Sequence, residues 1–266
     1  MEKMSLDQAE QVSSDMQSAQ RLRRRSSGDK KSFMAIMRNH HEEQRDMKRM
    51  NQEEILRGPF YAAIDDNNVQ AITDFVTTQG IDPNAAFGPC GFDDVSPKTT
   101  PLMLAIRLQH ESAVETLCQY GANANSVADT DALPDNRFGE IFGETFSMLD
   151  LACQSLNVPI ANLLLKYGAS PTVPGVKGYL AIHHLASQKE FTSVYKNDPE
   201  AIHSLIESMV NRGLDINSVN SVGDSVLHIV VREGELSDFA HFLVHDLEAN
   251  GELSNLQGDT PLIIAG

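Results

Sequence analysis

Tryptophan is absent from the 266 residues, aromatics make up only 6%, and three cysteines are present. Cys90, Cys118 and Cys153 have no paired spacing, which excludes a disulfide framework and any C-x-x-C zinc or redox motif. No run approaches the roughly 18 apolar residues that span a bilayer. The opening stretch MEKMSLDQAEQVSSDMQ lacks the apolar centre of a secretory signal. There is no G-x-S-x-G elbow, no H-E-x-x-H helix and no phosphate-cradling glycine loop. The expectation is a chain with no catalytic site, cofactor or metal, kept in a reducing compartment.

Positive charge is scarce over most of the chain. Residues 1–57 hold 12 Lys/Arg against 10 Asp/Glu, whereas residues 58–266 hold 9 against 27. So acidic a surface repels phosphate backbones and anionic lipid heads. It predicts a protein partner with a basic or neutral surface, with no nucleic acid and no integral membrane segment; simple solubility is the alternative use of the charge.

The chain does contain a recurring unit. Thr100-Pro101-Leu102 sets a capping hydroxyl before a proline in a first helical turn, and Leu102, Leu104, Ala105 and Ile106 follow. A polar break at Gln109-His110-Glu111 precedes a second helix carrying Ala113, Val114, Leu117 and Cys118, which Gly121 ends. Ser147 to Gly168 repeats the 21-position spacing of Thr100 to Gly121. Gly223-Asp224-Ser225-Val226-Leu227-His228 and Gly258-Asp259-Thr260-Pro261-Leu262 repeat the opening.

These residues resemble the ankyrin-repeat family, whose unit opens G-x-T-P-L-H-x-A-A and closes G-A-x-x-N. The resemblance implies an all-α ankyrin-repeat solenoid of helix–turn–helix units joined by β-hairpin-like loops. Six units are expected over residues 59–84, 98–125, 145–171, 178–217, 223–250 and 256–266, the last truncated, as in a fragment of a longer protein. Residues 1–31 read as a disordered tail and 32–57 as a helix capping the first unit. Measured against the family register, about 8 residues are inserted after Gly80, about 14 within Asp129–Glu144, and about 12 over Lys189–Glu200. In the fifth unit Asp246 falls on the closing glycine position, as a left-handed substitute.

The family implies roles for particular residues. His183 and His228 occupy the T-P-L-H histidine, which bonds backbone groups between neighbouring units. Partner contacts are implied at hairpin tips and at first-helix positions, here Lys98, Arg107, Glu144, Tyr179, Asp224 and Arg232. Two roles stand for Tyr179: an aromatic tip contact, or local packing on the next hairpin. Arg23-Arg24-Arg25-Ser26-Ser27 offers Ser26 and Ser27 to a basophilic kinase, against a solvated charge run. The function implied is a non-enzymatic protein–protein interaction module in the cytoplasm. The alternative is the targeting arm of a larger protein, such as a secreted bacterial effector in a host cytosol, with a catalytic or channel domain beyond Gly266.

Overall fold

A computed structural model describes residues 58–85, 99–129, 145–234 and 236–266. The chain divides into two compact units, Met1–Leu56 and Arg57–Gly266, and the described residues belong to the second. The tail, the expected capping helix, Ser26 and Ser27 therefore lie outside the described residues, as do Lys98 and Glu144.

The described chain is a succession of paired helices. The first pair is α1 (residues 58–65) and α2 (Val69–Thr77), the second α3 (Pro101–Arg107) and α4 (Glu111–Gln119). Strands β1 (Val127–Asp129) and β2 (Thr145–Ser147) pair antiparallel, with Ala128 opposite Phe146, and bring together the two ends of the second insertion. There follow α5 (Met148–Gln154), α6 (Val158–Lys166), α7 (Ala181–Ala186), α8 (Phe191–Asn197) and α9 (Pro199–Asn211). The last described elements are α10 (Val226–Glu233), α11 (Ser237–His245) and α12 (Pro261–Ala265).

Local chemistry sets these boundaries. Thr100 Oγ1 accepts the Met103 N–H at 3.2 Å, and Asn68, Asn157 and Asp198 cap α2, α6 and α9 in the same way. Four of the intrapair turns each hold one left-handed residue, Asn67, Gln109, Leu156 and Gly234 at φ of 51°, 59°, 54° and 70°. Each second helix closes on another, at Gly80, Gly121, Gly168 and Gly213.

Two layers result. Helices α3, α5, α7, α10 and α12 pack in succession as one layer, and α2, α4, α6 and α9 as the other. The core lies between them and holds Leu102, Met103, Ile106, Leu117, Phe146, Leu149, Leu164, Ile206 and Val226. Burying each such side chain contributes about 1.5–3 kcal/mol, so no pair could stand without its neighbours.

Hydrogen bonds between pairs run in a regular series. Asn84 Nδ2 donates to Gly121 O at 2.9 Å while its Oδ1 accepts from Asn123 N at 2.7 Å. Asn125 repeats both bonds on Gly168 and Ser170, and Asn217 Oδ1 accepts from Asn250 N. At the matching place after Gly168 stands Thr172, whose hydroxyl instead meets Ser170 Oγ at 2.9 Å.

One sequence expectation needs correction. Asp246 is not left-handed: its φ is −96°, and Glu248, at φ 57°, closes the unit. Helix α11 begins one residue later after its turn, and the closure comes one residue later after its end, than in α4 and α6. The third insertion, expected over Lys189–Glu200, contains helix α8. Phe191 is fully buried and lies edge-on to Phe239 at 5.1 Å, and Tyr195 packs on the same ring at 5.0 Å.

Candidate partner-binding surface

Of the expected contact residues that are described, Tyr179 and Asp224 belong to the hairpins between helix pairs, and Arg107 and Arg232 to first helices. In the hairpin before α10, Asn220 Oδ1 accepts from Val222 N and Asp224 N, which bends the chain so that Gly223 takes φ +82°. Asn255 does the same before α12, through Gln257 N and Asp259 N. Adjacent hairpins are then bonded tip to tip: Ser221 N donates to Lys177 O at 2.9 Å and Leu256 N to Val222 O at 3.1 Å. The approach is close enough that a Cβ on Gly223 would meet Leu256 N at 2.8 Å, so no other residue fits there. Lys177, Val222 and Leu256 are left exposed in a row, Leu256 at 79%.

Asp224 is placed differently from the exposed tip expected of it. It is buried, and its carboxylate accepts from Arg232 Nη2 at 2.9 Å and from Asn255 Nδ2 at 2.8 Å. It braces two hairpins and one helix. Arg232 reaches it from the end of α10, with about half of its side chain still exposed. Arg107 ends α3 and is half-buried.

Tyr179 is half-buried, with its ring against His183 at 5.7 Å and His184 at 5.2 Å, and Phe146 approaches His184 from β2 at 5.4 Å. The packing is on α7, the helix that follows it. Burial lowers both histidines to about 4, so each ring is neutral near pH 7. His183 Nδ1 accepts from Leu180 N at 3.0 Å, which leaves Nε2–H to donate to Ser218 O at 3.1 Å in the next hairpin. His228 does likewise, between Ser225 N and Asp259 O. These are the inter-unit backbone bonds the family resemblance implies.

Asp150 takes that histidine's place in α5. Its Oδ2 accepts from Ser147 N at 2.8 Å, but Oδ1 is buried with no partner among the described residues. A carboxylate there has nothing to donate, and burial pushes the group up to about 7 against the lowering effect of Ser147. Sequence reading missed this; the signal was an aspartate where the fourth and fifth openings hold His183 and His228.

Nucleophilic chemistry finds no support among the described thiols. Burial pushes Cys118 up to about 11 and Cys153 well above its usual value, so neither supplies thiolate. Cys90 lies outside the described residues.

Residues 60–175 match the family model described as ankyrin repeats (3 copies). Over 168 residues, 63% of this chain, the sequence is 32% identical to a Danio rerio protein named as a palmitoyltransferase, ZDHHC13. The match spans 22% of that protein's length. Among the described residues no helix is long and apolar enough to cross a membrane.

Proposed function

We propose, from the ankyrin repeats that residues 60–175 carry, that this chain is a protein-recognition module whose contact surface is the row of bonded hairpin tips. One observation supports this above the others: backbone bonds hold the tips in register while their apolar side chains face solvent. Val222 is 50% exposed and Leu256 79%, beside the half-exposed guanidinium of Arg232. An ordered apolar row rimmed by charge is what a partner's side chains can be buried against. Strands β1 and β2 pair at the two ends of the second insertion. The acidic balance of residues 58–266 favours a basic or neutral partner, met in a reducing compartment where buried Cys118 and Cys153 stay free.

The test is affinity capture on the full 266-residue chain, run in parallel with a V222D/L256D variant whose circular dichroism matches the parent. A partner retained by the parent, lost by the variant and weakened by salt supports the reading. Equal capture by both proteins overturns the tip surface, and a salt-insensitive partner overturns the electrostatic part.

A second reading rests on length. The chain matches less than a quarter of a relative named for palmitoyl transfer. In this reading the repeats present a partner to a catalytic segment of a longer polypeptide. An open reading frame that stops shortly after Gly266 sinks it.

A further inference from the structure

Helix α11 buries Phe239, Phe242 and Leu243 and turns His241 and His245 outward, one turn apart on its exposed face. Their rings stack with centroids 4.0 Å apart and planes 29° from parallel, so both imidazoles project from the helix in the same direction. The geometry points to a chelating site for a borderline divalent transition metal ion, of the zinc class, held by His241 and His245. Two histidines at i and i+4 on one helical face are the spacing that lets two ring nitrogens reach one ion.

Three further features favour a cation there. His245 ends a nine-residue helix, in the last turn where unsatisfied carbonyls carry the negative end of the helix dipole, and His241 stands one turn before it. Asp238 and Asp246, both exposed, flank it in sequence. The surrounding unit is strongly acidic, which raises the local concentration of divalent ions. Among the described residues no third His, Cys, Asp or Glu joins the pair, so water completes the shell. Imidazole donors select Zn2+, Ni2+ and Cu2+ over the oxygen-seeking Ca2+ and Mg2+. The site is independent of the hairpin surface and of the ankyrin reading.

The test is isothermal titration of the full chain with Zn2+, Ni2+ and Ca2+ separately, with H241Q, H245Q and H241Q/H245Q alongside, and with H40Q/H41Q, which removes the adjacent histidines of the sequence before residue 58, as the control. Glutamine at either exposed α11 position leaves the buried face of the helix intact, and circular dichroism verifies this. Zn2+ and Ni2+ should bind at one site, and each α11 variant should weaken them at least about tenfold. Ca2+ should bind with no dependence on either histidine, and acidification should release the transition metals, because a protonated imidazole has no lone pair to give. Ni2+ should also broaden the ring resonances of His241 and His245 before those of other histidines. Unchanged Zn2+ affinity in the H241Q/H245Q double variant, or loss of the site in H40Q/H41Q instead, overturns the assignment.

Discussion

Arg232 donates to Asp224 across 2.9 Å, joining the last turn of α10 to the hairpin that precedes it. The opposite oxygen of the same carboxylate accepts from Asn255 Nδ2 in the next hairpin. Two residues that look like separate contact points in the sequence are one brace. The brace sets the spacing at which Val222 and Leu256 stand.

Removing it should loosen the hairpins before it affects the helices. Asp224→Ala leaves a buried Asn255 amide unpaired, at a cost of about 1–3 kcal/mol. Arg232→Ala should cost less, about 0.5–1 kcal/mol, because its half-exposed guanidinium is hydrated in either state. Urea unfolding of both single variants and the double should show coupling between the sites. Strict additivity would mean that the two side chains act alone.

Proton linkage at Asp150 gives the second prediction. Burial raises the folded carboxyl to about 7 from its ordinary 3.8, so folding favours the protonated form. Its contribution to stability is complete below about pH 3.8, falls as pH rises through about 7, and is absent above it. Asp150→Asn keeps the oxygen that accepts from Ser147 and supplies a neutral donor at the other position. The variant should match the parent near pH 4 and exceed it by about 2–4 kcal/mol at pH 8. Denaturant midpoints at the two pH values check this; a constant difference between the proteins would refute it.

The openings T-P-L, the closing glycines and the bridging histidines were all legible in the sequence, because each is fixed by chemistry within a few positions. Thr100 caps α3 through its own hydroxyl, and His183 reaches the next hairpin because the amide of Leu180 fixes its tautomer. Counting failed where the connections change length. The extra residues on either side of α11 moved closure from Asp246 to Glu248. The insertion helix α8 was hidden because only Phe191 and Tyr195 face the core, too few for an amphipathic period in seven residues. The burial of Asp224 was not legible, since it depends on Asn255, 31 positions away.

Backbone strain at the intrapair turns offers a third prediction. Gln109 is exposed and held at φ 59°, where an L side chain is disfavoured, while Gly234 fills the matching position before α11. Gln109→Gly should therefore stabilise the chain by about 0.5–1 kcal/mol, the relief at φ > 0 exceeding the added freedom of the unfolded chain. Gly234→Ala should destabilise it by a similar amount. Thermal melts monitored at 222 nm decide both, and a loss of stability in Gln109→Gly would contradict the strain argument.

The last prediction concerns whether the third insertion is an ornament or part of the core. Phe191 is wholly buried, edge-on to Phe239, and Tyr195 bonds His203 Nε2 at 3.0 Å while packing on the same phenylalanine. His203 in turn stacks on Phe242 at 3.7 Å, so α8, α9 and α11 share one aromatic cluster. This cluster joins the fourth unit to the fifth, the junction at which Asn217 Oδ1 also accepts from Asn250 N. Phe191→Ala should cost about 3–5 kcal/mol, the range for removing a buried aromatic ring from a packed site. Hydrogen exchange should then speed up in α9 and α11 while α3 and α4 keep their protection. A cost within about 0.5 kcal/mol, the range of a surface substitution, would show the insertion to be peripheral.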